Sequence, residues 1–132
     1  MLKLEIVTPE KRVLDTEVDS VTVPTASGEA GILPQHAPLV SALKPGVLAY
    51  SVKGNTDCIA VSSGFVEVNN DKVAVLVDTA ETSNEIDAAS ARSDREAAER
   101  TTSSAGPITV EEAEAARENV DLADARISVA GR

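Results

Sequence analysis

Up to about residue 84 the chain alternates apolar and polar positions in short segments. Leu2, Leu4 and Ile6 are separated by charged neighbours, and Val18, Val21 and Val23 repeat the pattern with one irregularity. VLAYSVK at 47–53, CIAVS at 58–62, FVEV at 65–68 and KVAVLV at 72–77 follow. Pro9, Gly28, Gly46 and Gly64 bound these segments, and the clusters Gly54-Asn55 and Asn69-Asn70-Asp71 read as hairpin turns. Short β-branched segments at this spacing predict an antiparallel all-β sandwich or barrel. No connection is long enough to carry a helical crossover, which excludes parallel βαβ units.

After residue 84 the pattern reverses. The stretch from Ser83 to the end holds twelve alanines, one leucine, no lysine and no aromatic residue. Ser83 or Asn84 is placed to cap a helix running to about Thr101, TTSSAGP reads as a turn, and Thr109 with Glu112 has capping-box spacing for a second helix. Val110, Ala113, Ala116, Val120, Ala123, Ile127 and Ala130 then recur at steps of three and four, one face of a helix. The expectation is a two-helix antiparallel hairpin at 85–132 following a β domain at 1–84. Its stripe is mostly alanine, which supplies helix propensity but buries little area. The residues leave two readings open: a hairpin that is helical yet loosely held, and an ordinary helical cap that never leaves its place.

Composition narrows the function. With 132 residues the chain is one ordinary domain, or one small domain with an appendage, and with aromatics at 2% its core must be aliphatic. A net charge of -10 argues against nucleic acid or an anionic lipid surface as partner. Cys58 is the sole cysteine, so no internal disulfide forms; in its strand context it reads as a small buried hydrophobe. No apolar run is long enough to span a bilayer, and the first residues lack the apolar region of a secretory signal and are acidic too early for a transit peptide.

Catalytic chemistry is poorly represented. There is no P-loop and no GxGxxG, and His36 is the sole histidine, which leaves no set of imidazoles for a metal site. The carboxylates are scattered, with no pair set for acid–base work. A binding or coupling module is the stronger class, and no cofactor is expected. One segment is unusually specified for a loop: GEAGILPQHAPLVSALKPG at 28–46. Its prolines forbid a long helix, so it must form tight turns and short strands, the kind of segment that holds partner contacts on a rigid scaffold.

That segment resembles the signature of the epsilon subunit of F-type ATP synthases, with its Gly-x-x-Gly-Ile-x-Pro-x-His-Ala-Pro-Leu core followed by Pro-Gly. SSGFVEVNNDKVAVLVDTAE at 62–81 is similar to the family's paired final strands, and EIDAASAR at 85–92 falls where its helices begin. The resemblance covers essentially the whole chain. It implies an N-terminal antiparallel β-sandwich followed by a two-helix hairpin, acting as a non-catalytic part of the central rotor stalk. The sandwich would clamp the gamma subunit and rest on the ring of c subunits, coupling ion flow to catalysis elsewhere. By position, His36, Ser41 and Thr8 match the gamma-facing side, and Glu29, Ala30 and Gly31 match the loop facing the ring. The implied location is peripheral, on the cytoplasmic face of a bacterial inner membrane or the stromal face of a thylakoid, with no membrane insertion.

In the same family the hairpin docks on the sandwich or extends along gamma to inhibit ATP hydrolysis, using basic side chains against the beta subunit. Arg117 and Arg126 are the candidates here, but residues 85–132 carry eleven acids against six arginines, which opposes an acidic partner. Some members bind ATP between the helices through Ile-Asp-x-x-Arg-Ala plus two arginines a turn apart. This chain keeps Ile86, Asp87 and Arg126, but Ser90 and Leu122 replace two of the cations. ATP binding is therefore expected to be absent or weak. The alternative to the stalk subunit is an unrelated small β-sandwich adaptor with a helical tail.

Overall fold

A computed structural model describes residues 1–103 and 109–130. Ten strands come first: β1 Leu2–Val7, β2 Arg12–Val18, β3 Ser20–Thr25, β4 Gly28–Ile32, β5 Leu39–Leu43, β6 Gly46–Val52, β7 Asn55–Val61, β8 Gly64–Asn69, β9 Lys72–Val77 and β10 Ala80–Thr82. A single 3-10 turn, Ser83–Glu85, leads to α1 Ala88–Ser103 and α2 Val110–Ala130. The expected sandwich followed by two helices is what the chain forms. Part of the TTSSAGP turn, residues 104–107, lies outside the described residues.

The strands hydrogen-bond in the order β10-β7-β6-β3-β5-β8-β9-β1-β2, with β4 also paired to β3. β3 and β5 meet at Thr25 and Leu43, where the sheet folds over into two layers. Alternation fills the space between them. Leu2, Leu4, Ile6, Val66, Val68, Val73 and Val75 point inward from one layer, and Val21, Val23, Leu48, Ile59 and Val61 from the other. Each such side chain contributes about 1.5–3 kcal/mol by leaving water. Pairing is antiparallel except that β1 runs parallel to β9. The link between those two is the rest of the sandwich, so no helical crossover is needed.

Local departures from the sequence reading have simple causes. The segment read as one irregular strand over Val18–Val23 is two, β2 and β3, parted at Asp19. There the backbone N–H of Asp19 donates to the Ser51 carbonyl at 2.7 Å and its carboxylate accepts the Lys53 amide at 2.7 Å. The first hairpin turn is centred one residue earlier than Gly54-Asn55, on Lys53 (φ 51) and Gly54 (φ 83). The second is centred on Asn70 (φ 50) and Asp71 (φ 58). Two left-handed residues in succession match the twist of the flanking strands.

The cap of α1 is neither Ser83 nor Asn84. The Asp87 carboxylate accepts the amides of Ala89 at 3.0 Å and Ser90 at 3.1 Å, because Ser83–Glu85 are taken up by the 3-10 turn. At α2 the Thr109 hydroxyl does accept the Glu112 amide, at 3.0 Å. The single expected stripe on α2 is two. Ala116 and Ala123 are buried along it and Val110 is exposed, but Ala125 and Val129, off the stripe, are buried as well. The helix has two partners: Ala125 and Val129 pack with Val47, Cys58 and Ala60 on the outer face of β6 and β7 and with Ile86 just before α1, while α1 lies along another side.

Candidate docking surfaces

Outward positions on the layer formed by β5, β8, β9 and β1 are not uniformly polar. The register pairs Ala42 with Phe65, Phe65 with Leu76, and Leu76 with Val7, which puts four apolar residues in one row across four strands. Val40 stands on the same face one step along β5 and is 72% exposed; Phe65 is 59% and Leu76 52% exposed. A groove of about 640 Å³ opens along this row, lined by Val7, Thr8, Pro9, Ala42, Phe65 and Leu76 among others. Gly64 brings β8 and β9 unusually close beneath it, since a Cβ there would sit 2.0 Å from the Leu76 carbonyl oxygen.

Charge borders the apolar row. On the same outward face Glu5 pairs with Lys72 at 3.5 Å and Lys3 at 3.7 Å, and Asp15 pairs with Arg12 at 3.2 Å and Lys3 at 3.6 Å. An apolar patch with a polar rim is the anatomy of an interface.

Of the residues singled out in the sequence only Thr8 lines this groove, and together they do not converge on one point. Thr8 lines the groove, with its hydroxyl engaged locally by the Lys11 carbonyl at 3.1 Å. Ser41 lies on β5 between the outward Val40 and Ala42, so its side chain is on the half-buried side, with Oγ donating to the Ala42 carbonyl at 3.2 Å. His36 is half-buried in the loop before β5, its Nδ1 2.7 Å from the Ala37 carbonyl oxygen. On β4, Glu29 and Gly31 share the exposed face, whereas Ala30 packs against the core. Gly31 has no conformational need to be glycine: its φ is not positive and a Cβ would meet nothing within 4 Å. Val40, Phe65 and Leu76 escaped the sequence reading, although LVSAL, FVEV and KVAVLV signal them by carrying large apolar residues in both phases of the alternation.

The hairpin has its own polar junction. Arg126, 16% exposed, lies between two carboxylates: Nε is 2.9 Å from Glu81 of β10, misaligned for a hydrogen bond, and Nη1 donates to Asp94 of α1 at 3.1 Å. Arg95 pairs with Asp124 of α2 and, at 2.6 Å, with Glu99. Arg117 is exposed. A cavity of about 390 Å³ between the helices is lined by Asp94, Asn119, Leu122 and Arg126 with three alanines. These residues do not fit a triphosphate: Arg126 is already neutralised, and Leu122 stands one turn away where a second cation would be needed.

Fold and surfaces together define a docking module, a stiff two-layer sandwich with an apolar outer face and a helical appendage. A family model for the β-sandwich domain of the ATP synthase delta/epsilon chain matches residues 1–83. The ATP synthase epsilon chain of Desulforamulus reducens is 49% identical over 115 residues, covering 86% of this chain and 87% of that one. That of Desulfitobacterium hafniense strain Y51 is 44% identical over 113 residues, 86% of each. In fold, a chain of the Euglena gracilis mitochondrial ATP synthase structure, described as OSCP/F1/c-ring, superposes with TM-score 0.81 at 24% identity, covering 99% of this chain and 81% of that one. The chain belongs to the epsilon chains of ATP synthase, non-catalytic subunits of the stalk.

Proposed function

We propose that this subunit couples rotation to catalysis by gripping the gamma subunit through the Val7–Ala42–Phe65–Leu76 face while β4 meets the c ring. The observation that carries the reading is the exposed apolar row with its charged rim, in a chain whose relatives are stalk subunits. Thr8 at the groove and His36 before β5 are the polar contacts to gamma, with Ser41 supporting β5 from its other side; Glu29 and Gly31, flanking Ala30, present the surface to the ring. The two-layer sandwich suits transmission of torque because its core is close-packed and yields little. Fold neighbours drawn from assemblies described as F1/c-ring and central stalk/c-ring support the same placement. The subunit would sit peripherally at the cytoplasmic face of the bacterial plasma membrane. Residues 1–84 form the rotor-docking unit and 85–132 a separable hairpin, whose Arg117 and Arg126 reach the beta subunit only after it leaves the sheet.

Detergent extraction of membranes tests this. The subunit should purify with gamma and remain with it through size exclusion; recovery solely as a free monomer would overturn the reading.

A further inference from the structure

The loop at 33–38 has almost nothing to hold it. Leu33, Pro34, Gln35, Ala37 and Pro38 are exposed and His36 is half-buried, so no side chain anchors it by burial. Its own hydrogen bonds are internal: the His36 amide donates to the Leu33 carbonyl at 3.2 Å, and the His36 ring contacts Ala37. Gln35 is left-handed, φ 66, a conformation that is unfavourable for a side chain of that kind and needs support. Among the described residues one hydrogen bond ties the loop to another element. The Gln35 amide donates to Oδ1 of Asp71, 36 positions away, at 2.6 Å.

Asp71 is itself firmly placed. It occupies the second centre of the β8–β9 turn at φ 58, and its carbonyl accepts the Lys3 amide at 2.8 Å, which links the turn to β1. Glycine would hold that left-handed position with less strain, so aspartate is worse for the turn and better for the loop. A charged acceptor on a backbone N–H is among the stronger hydrogen bonds.

We infer that Asp71 is the positioning residue of the docking loop: its carboxylate fixes Gln35 and thereby presents His36 to the gamma subunit in a preformed arrangement. The inference rests on the reading of His36 as a stalk contact. Without the carboxylate, the loop would have to be ordered at the moment of binding, which lowers affinity.

Asp71→Gly suits the turn and removes the acceptor, while Asp71→Asn keeps an oxygen at the same place. In the full-length subunit, hydrogen exchange at the Gln35 amide should rise about tenfold or more in the glycine variant and little in the asparagine variant. The glycine variant should also bind purified gamma several-fold more weakly, roughly the cost of ordering a short loop. Unchanged Gln35 exchange in Asp71→Gly would overturn the positioning role. Faster exchange with unchanged affinity would overturn its part in docking. His36→Ala separates this from the wider reading: if it too leaves affinity unchanged, His36 is not a contact, whereas a loss confined to His36→Ala places the error in Asp71 alone.

Discussion

The guanidinium of Arg126 on α2 lies 2.9 Å from the carboxylate of Glu81 on β10, and neither side chain is more than 27% exposed. This pair joins hairpin to sandwich where the apolar contact is small, built from Ala125 and Val129 on Ala60 with Val47, Cys58 and Ile86 alongside. Arg126→Ala strands a half-buried carboxylate, and we expect it to weaken hairpin docking by about 1–2 kcal/mol. Cys58 reports the event, being half-buried in that interface. Its labelling by a thiol reagent should accelerate about tenfold in the variant. In the parent protein it should accelerate with salt, which shortens the screening length to about 3 Å at 1 M. Labelling rates indistinguishable between the two proteins would show that the alanine and valine contacts hold the hairpin by themselves.

Phe65 is the sole phenylalanine of the chain and stands exposed in the middle of the apolar row. Replacing it with serine removes little burial from the free subunit, so stability should change by less than about 1 kcal/mol. In the complex it removes a large apolar side chain from the interface. Affinity for gamma should fall at least about tenfold, or 1.4 kcal/mol. Titration calorimetry showing equal affinity would place the gamma contact elsewhere.

Two glycines should behave in opposite ways. At Gly64 an added Cβ meets the Leu76 carbonyl oxygen at 2.0 Å and the Val77 Cα at 2.9 Å, both backbone atoms, so β8 and β9 would have to part. Gly64→Ala should cost about 3 kcal/mol or more, a drop of roughly 10 °C in Tm. Gly31→Ala meets open space and should leave stability within about 0.5 kcal/mol of the parent. Any loss of coupling in assembled complexes carrying Gly31→Ala then reports the ring-facing surface, whereas intact coupling removes Gly31 from it.

Acid should loosen the junction between strands and helices. The Thr82 amide and hydroxyl, donating to Glu85 at 3.2 and 2.9 Å, hold its carboxyl below the usual value of 4.5, with Lys11 at 3.6 Å adding to the effect. A carboxylate whose pKa is lowered by folding stabilises the fold fully above the unfolded value and loses that contribution as pH falls through the folded one. Protection of the Thr82 amide should therefore decline as pH falls below the ordinary glutamate value of 4.5. Glu85→Gln should flatten that decline; an identical pH profile in the variant would assign the acid sensitivity to another group.

The sandwich was legible because its inward residues, Leu2-Leu4-Ile6 or Val73-Val75-Val77, alternate cleanly with residues that need not be buried. Asp87 was not legible as a cap, because Ser83 and Asn84 have equally suitable chemistry and the competing 3-10 turn is a tertiary outcome. The docking face was hidden for a different reason. Ala42, Phe65, Leu76 and Val7 are distant in sequence and become neighbours only through register, including a parallel β1–β9 pairing that no local pattern encodes. His36 was conspicuous in the chain, yet what orders its loop is Asp71, which as sequence was merely part of a turn.

On the proposed reading the hairpin acts on the beta subunit after leaving the position described here. Docked, it buries Val129 on the sheet and neutralises Arg126, leaving Arg117 as its exposed candidate for the beta subunit. Undocking parts Arg126 from Glu81, but Asp94 and the acids of α2 stand exposed beside it throughout, so any hold on an acidic surface is partly self-opposed. A chain ending after Thr82 keeps all ten strands. Assembled into the complex, it should leave coupling intact and raise ATP hydrolysis if the hairpin is a brake. Glu81→Ala, which loosens docking and keeps Arg126, should lower hydrolysis in the full-length subunit if undocking sets the brake. Hydrolysis unmoved by the truncation would mean that the hairpin, whether docked or free, does not inhibit.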